Sequence, residues 1–382
     1  MSLGKIMADQ FTIMKQESFS DRASSDSDAS WLTALRHLWP DLQLTDSDIR
    51  NGCYNGFRTY VEKQVRALSN HRADFAIPNL EHTINLVSKL QTYCSLPKEG
   101  LVGEFERDYP DAPDFGIERS VELAVRIWLT LSIQSPSIAI GRIDASVIGI
   151  EWTDISLQEV VGNQFSESQT KIPDGRTRLQ LDPRLTVAYL IDNCNLHVKW
   201  TNNLADHLQL VRKTRTLKIY QHKICLLNHL NQAVASDSEP VIPTAVLKEA
   251  IDTLNLLFPI RDSATKAFLA QENKSFNSLG NCGRASAAAV GQYNYWRDEL
   301  LDLVDLLNEP AESWKQLLWR RRTIVESATF WNLCIAVVVV LLTVFNIIFG
   351  TVQTVYTVKS YKLAAIQFCA NPGNGKLAPG VC

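Results

Sequence analysis

No G-x-S-x-G, G-x-x-x-x-G-K-[ST], H-E-x-x-H or G-x-G-x-x-G sequence occurs in the 382 residues. The usual devices for an activated serine, a phosphate-cradling loop, a zinc-bound water and a dinucleotide are therefore missing, which lowers the expectation of an enzyme without removing it. An excess of one charge is missing too. The formal net charge is −3 and the basic residues are scattered, so the chain offers no electrostatic footprint for nucleic acid. Its eight cysteines form no Cys-x-x-Cys pair and no recurrent spacing, a pattern that fits reduced, mostly buried thiols. Met1 to Gln16 have neither the apolar stretch nor the small-residue cleavage site of a secretory leader, so the soluble part is expected in the cytosol.

One long hydrophobic run is present. Ser327 to Val358, 32 residues, carry no charge, and about 20 apolar residues suffice to cross a hydrocarbon core. The run reads as one transmembrane helix near the C-terminus, and the lipid bilayer is the first partner. Trp314, Trp319, Arg320, Arg321 and Arg322 precede it and form an expected interfacial collar, with amphipathic side chains where headgroups meet hydrocarbon. The expected orientation places the N-terminal domain in the cytosol and a short tail, 359–382, in the lumen of an endomembrane such as the endoplasmic reticulum. Asn273-Lys274-Ser275, the lone sequon, would then carry no glycan. Cys369 and Cys382 follow the span; in an oxidising lumen they could close a small loop, and free thiols are the equal alternative.

The remaining periodicities predict a mainly α fold with a small β element. Residues 1–30 form a Ser/Asp-rich head expected to be disordered, and 31–320 a mainly helical soluble domain with a possible subdivision near 135. Apolar residues at helical spacing predict helices at Trp31–Trp39, before Pro40, and across Asn55–Tyr93 with a break at Pro78. Further helices are expected over Ile117–Ser132, Val246–Phe258 and Tyr293–Asn308. Lys98–Gly116, acidic and holding Pro110 and Pro113, reads as a solvated loop, and Gln271–Gly291 as a long polar one. Val147–Thr153 and Leu196–Thr201 alternate like half-buried strands, each followed by an expected helix, Ile155–Val161 and Leu204–Val211, with Thr153 and Thr201 as N-caps. Leu217–Tyr220 reads as a third strand.

Candidate chemistry is sparse, and no catalytic, cofactor-binding or metal residue is assigned. His222, Cys225 and His229 share a helix face if that segment is helical, as imidazole and thiolate ligands of zinc would. A fourth ligand is absent, and core packing with one solvent-facing histidine is the favoured reading. His207 beside Asp206 suggests a base, but adjacent helix residues do not face each other, so a structural hydrogen bond is simpler. Arg212-Lys213-Thr214-Arg215 suits anionic headgroups or, more simply, a solvated turn. Within the span, Thr343, Asn346, Gly350, Gln353 and Thr357 recur at spacings of three and four. They put small or polar side chains on one helix face, suited to association with itself or with another membrane protein.

Trp200-Thr201-Asn202-Asn203-Leu204-Ala205-Asp206-His207-Leu208, Leu254 to Pro259, Tyr295-Trp296-Arg297 and the span ending Phe349-Gly350 with Tyr361-Lys362 resemble a group of uncharacterised filamentous-ascomycete proteins with one C-terminal transmembrane helix. The resemblance covers roughly Ile117 to Lys362. It implies a fungal source and a membrane-anchored helical domain, some group members accompanying secondary-metabolite gene clusters, and it carries over no site residues. The expected function is a non-catalytic platform acting through protein contacts, cytosolic partners included. The alternative is an accessory enzyme or pathway component of fungal secondary metabolism.

Overall fold

The computed structural model describes residues 24–135, 149–167, 179–236, 240–279, 289–309 and 324–370. The chain divides into two units, Met1–Pro310 and Ala311–Cys382.

The first unit opens with α1 (Ser24–Leu38), α2 (Asp46–Arg50), α3 (Asn55–Asn70) and α4 (Leu80–Tyr93). Trp31, Leu35 and Leu38 of α1 are buried together with Trp39, and Phe57, Val61 and Leu68 supply the matching face of α3. Fully burying one such side chain is worth about 1.5–3 kcal/mol. The helix α1 begins at Ser24, seven residues ahead of Trp31, so the end of the Ser/Asp-rich segment is ordered rather than disordered. Acidic residues suit the positive end of a helix, and Asp28 is further held 3.0 Å from Arg58 of α3. Residues 1–23 lie outside the described residues.

Next come α5 (Lys98–Glu106) and α6 (Asp114–Leu129). The solvated loop expected over Lys98–Gly116 is therefore mostly helix. Its acidic residues mask two apolar anchors one turn apart, Leu101 and Phe105, both fully buried. Lys98 is buried as well, with its ammonium 3.3 Å from Glu122, 2.9 Å from Ser135 and 3.3 Å from the carbonyl of Trp152. Burial of a lysine is tolerated here because its ammonium meets the carboxylates of Glu118 and Glu122, a hydroxyl and a carbonyl, with the Trp152 ring at 5.2 Å. Helix α4 packs on both α1 and α6, and residues on either side of 135 share one core.

A two-residue parallel pair, β1 (Ile133–Gln134) with β2 (Ile150–Glu151), precedes α7 (Leu157–Gln164). The N-cap of α7 is Ser156, whose side chain accepts from Glu159 N–H, three residues beyond the expected Thr153. Then follow α8 (Val187–Cys194), β3 (His197–Thr201), β4 (Leu210–Val211) and β5 (Thr216–Tyr220). The sheet order is β3-β5-β4, with β3 parallel to β5 and β4 antiparallel to it. The helix expected over Leu204–Val211 is absent: one 3-10 turn, Leu204–Asp206, leads to Leu208 at φ 62 and then to β4. Asn203, not Thr201, caps that turn, accepting from Ala205 N–H. The apolar spacing there serves pairing with β5 instead of a helix face.

The unit closes with α9 (Lys223–Ala235), α10 (Thr244–Leu257), α11 (Ser263–Gln271) and α12 (Arg297–Asn308). Within the expected 271–291 loop, Phe276–Leu279 and Val290–Gln292 are short 3-10 turns, and 280–288 lie outside the described residues. The entry to α12 is tied down by one carboxylate. Glu249 of α10 is 3% exposed and accepts the N–H groups of Asn294, Tyr295 and Trp296, each at 2.7 Å.

The second unit contributes α13 (Ile324–Cys369), 46 residues without a break. It runs eleven residues past Val358, where the charge-free run ends, because Lys359 and Lys362 are good helix formers and nothing there breaks the ladder. Its stretch Ile335–Cys369 is long and apolar enough to cross a membrane, and none of its most apolar window is buried.

The Glu249 contact gives a direct stability test. Glu249→Gln keeps one acceptor and should lower the unfolding free energy by about 2 kcal/mol; Glu249→Ala strands three buried donors and should lower it by about 4 kcal/mol. Urea unfolding of the full chain in detergent micelles, followed by circular dichroism, measures both. A loss below about 1 kcal/mol for the alanine variant would refute this role.

Candidate functional site

The three histidines weighed in the sequence are all buried, and each is held by its own partner. His207 follows the 3-10 turn; its Nε2 lies 2.9 Å from Thr253 Oγ1 of α10, and its Nδ1 accepts from Tyr220 N–H of β5 at 3.2 Å. Burial holds its pKa down to about 3. His229 of α9 reaches the carbonyl of Trp128 at 3.0 Å, which lifts its pKa against burial, leaving it near 4. His222 stands at the start of α9 with its Nε2 2.7 Å from Asn202 Oδ1. Burial, then the charge of Lys274, bring its pKa to about 3.

Helical spacing does bring His222, Cys225 and His229 to one side of α9, but they turn to different neighbours. His222 rings against Phe57, Tyr60 and Tyr220, and His229 against Trp39 and Trp128. Burial pushes the Cys225 thiol well up, away from the thiolate a metal needs. Among the described residues no group of three His, Cys, Asp or Glu side chains is placed to hold a metal ion. Asp206 faces away from His207: Oδ2 accepts from Thr201 at 3.4 Å and Oδ1 lies 3.6 Å from Lys218.

The basic cluster is engaged at home. Arg212 meets Asp302 at 2.6 Å, and Arg215 meets Glu309 at 3.1 Å and the carbonyl of Cys194 at 2.8 Å. Both acids belong to α12 or its C-cap, so the turn is pinned to the domain rather than held out for headgroups.

A cavity of about 190 Å³ lies where α3 and α9 begin, closed by the end of α11 and the turn after it. Its wall includes Asn55, Gly56, Phe57, His222, Lys223, Lys274 and Phe276, and no Asp or Glu. Lys223 is 2% exposed, with its ammonium 2.8 Å from Asn255 and 3.3 Å from the Phe276 carbonyl. Sequence reasoning singled out His222 but missed Lys274, Gln221 and Asn202. Lys274 is 52 residues beyond His222, and only the fold brings the two together.

On α13, Thr343, Asn346, Gly350, Gln353 and Thr357 fall on one exposed helix face. The same three-four spacing continues to Ala336 and Val339 on one side and Ser360, Ala364 and Gln367 on the other, which the sequence already allowed one to read. The hydroxyls along the helix bond back to carbonyls one turn earlier: Thr343 to Val339, Thr354 to Gly350 and Thr357 to Gln353, all at 2.8 Å. Among the described residues, the side-chain amides of Asn346 and Gln353 have no such partner. Trp314, Trp319, Arg320, Arg321 and Arg322 lie outside the described residues.

Cys53, Cys94, Cys194 and Cys225 are free, whereas Cys369, at the end of α13, is disulfide-bonded. Cys382, its expected partner, lies outside the described residues.

No protein-family profile matches the chain, no curated protein is significantly similar to it, and no solved structure matches its fold.

The histidines set an acid limit on stability. An unfolded histidine titrates near 6.5, and these three are neutral in the fold down to about 3, 3 and 4. Above pH ~6.5 both states are neutral and nothing is lost. Below it the unfolded chain takes up protons that the fold refuses, so stability falls with pH by up to ~1.4 kcal/mol per unit for each ring. Buried Glu122 and half-buried Glu299, whose carboxyls desolvation pushes up, act in the opposite sense. The unfolding free energy should drop steeply between pH 6.5 and 5, and His229→Gln, which retains a donor for Trp128, should reduce that slope by about a third. Urea titrations across this range check it; a flat profile in the wild type would contradict the assignment.

Proposed function

We propose that this chain is a single-pass membrane protein whose helical domain works as a platform through protein contacts, the polar face of α13 being one of those contacts. The observation that carries this reading is the pair of amides at Asn346 and Gln353, seven residues apart in the exposed, apolar stretch 335–364 of the helix. A hydroxyl can satisfy itself on its own helix, as the threonines do, but an amide in hydrocarbon without a partner costs several kcal/mol. A second helix with matching polar groups removes that cost. The repeat of 3.5 residues favours a left-handed crossing, in which positions such as Thr343, Asn346, Gly350 and Gln353 meet along one seam. The partner on that seam is a second copy or another membrane protein. A filamentous-fungal source remains part of this reading, on the resemblance of the sequence motifs alone.

Cysteine chemistry supports an orientation. Disulfides persist in oxidising compartments and thiols in reducing ones, so the four cysteines described in the first unit, none in a disulfide, and the bonded Cys369 favour a cytosolic domain and a lumenal C-terminal end on an endomembrane. At 1.5 Å per residue, the 35 residues Ile335–Cys369 reach about 52 Å against a core of about 30 Å. The excess suits Tyr356, Lys359, Tyr361 and Lys362 to the headgroup layer.

The cavity beside His222 favours a second reading, an accessory enzyme or component of a fungal secondary-metabolite pathway. Loss of a metabolite on deletion, restored by the wild type but not by a variant of the cavity wall, distinguishes it from the platform.

Two measurements test the main reading. Asn346→Leu combined with Gln353→Leu should shift the detergent-extracted complex to the size of the single chain, and an unchanged size in size-exclusion chromatography with light scattering sinks the seam. In protease protection on carbonate-washed microsomes, a tag before Met1 should be digested while a tag after Cys382 survives; the reverse pattern reverses the orientation.

A further inference from the structure

The cavity at the start of α9 contains a chain of hydrogen bonds whose polarity is fixed from one end. An ammonium can only donate, so the contact between Lys274 and Gln221 turns Gln221 Oε1 toward the lysine. That leaves Gln221 Nε2 to donate to Asn202 Oδ1 at 2.5 Å. The same Oδ1 stands 2.7 Å from His222 Nε2. An oxygen there can only accept, so His222 carries its proton on Nε2. In a neutral ring Nδ1 is then a lone-pair acceptor, and the low pKa of His222 keeps the ring neutral at physiological pH.

Nothing among the described residues donates to that Nδ1, although the ring is only 2% exposed. It borders the cavity next to Gly56, where an added Cβ would stand 3.9 Å from it. Lys274 is half-buried and makes no ion pair among the described residues. Besides Gln221 its ammonium meets the face of Trp200 at 5.1 Å; desolvation lowers its pKa, and the charge of Glu272 offsets that only in part. Among the described residues the wall carries Lys223 and Lys274 and includes no Asp or Glu. Helices α3 and α9 also start there with no acidic residue in the first turn, adding the positive ends of two backbone dipoles.

We propose that this cavity binds a small anion that also carries a hydroxyl, with an anionic oxygen at Lys274 and the O–H donated to His222 Nδ1. The volume of about 190 Å³ lies below the roughly 300–1,000 Å³ of pockets for drug-sized ligands, which limits the occupant to a compact group. A protonated phosphate has both required features, and it can arrive as the free ion or on a phosphate-monoester lipid headgroup. Sulfate has the same tetrahedral shape and, near neutral pH, no O–H.

The test is calorimetric titration of the full chain in phosphatidylcholine nanodiscs at pH 7, with inorganic phosphate and with sulfate. Phosphate should bind about ten-fold more tightly than sulfate, because sulfate leaves Nδ1 unpaired. Lys274→Gln should weaken phosphate by about ten-fold, while Lys266→Gln, on the exposed face of α11, should bind as the wild type does. Circular dichroism of both variants controls for folding, and the phosphate-sulfate comparison needs no variant. Equal affinity for the two anions, binding of neither, or a Lys274→Gln variant that folds and binds normally would overturn the proposal. Repeating the phosphate titration with phosphatidic acid in the discs separates the sources: loss of free-phosphate binding identifies the headgroup as occupant, and unchanged affinity identifies the soluble ion.

Discussion

The parallel register of His197–Thr201 on Thr216–Tyr220 is the constraint around which the soluble unit is arranged. Parallel strands cannot be joined by a tight turn, so residues 202–215 must leave β3, cross to the far edge of β5 and return along it as β4. That path carries Asn202, Asn203, Asp206 and His207 into the interior, where each has to find a partner. It also delivers Tyr220 to the end of α6, where its hydroxyl lies 2.5 Å from that of Thr130, a residue at φ 52. Directly after β5 come Gln221 and His222, and with them α9 and the cavity wall.

Much of the polar burial in this domain follows from topology, and at several positions it is handled by pairing. Glu249 holds three backbone donors, Lys98 sits among oxygens, and Asn203 Oδ1 receives both Ser132 N–H and Ala205 N–H. These contacts link elements far apart in sequence, so each fixes the path of a segment that apolar packing alone would leave free to slide. At His222, as at His229, one ring nitrogen has no donor among the described residues; of the two, it is His222 that lines the cavity.

The long helix obeys the opposite economy. Along it the threonine hydroxyls fold back on the preceding turn, and among the described residues the amides of Asn346 and Gln353 have no partner. The two amides share one face of α13, whereas the first unit spreads its polar determinants over loops, helix starts and strand ends.

The sequence by itself determined the helical character, the stops at Pro40 and Pro78, strands β3 and β5, and a helix long and apolar enough to cross a membrane, because each depends on local periodicity or on the cumulative apolarity of one segment. It misjudged Lys98–Glu106 and Leu204–Val211. In the first, charge concealed two buried anchors one turn apart; in the second, pairing with a distant strand outweighed a local helical pattern. The shared helix face of Thr343, Asn346, Gly350, Gln353 and Thr357 was legible because all five residues lie on one helix. Only the tertiary structure decided which side chains face one another across the fold: Glu249 with Asn294, His229 with Trp128, and Lys274 with Gln221, Asn202 and His222. Such pairings depend on where separate elements come to rest, and side-chain hydrogen bonds act over about 3 Å, a distance that no spacing along the chain specifies.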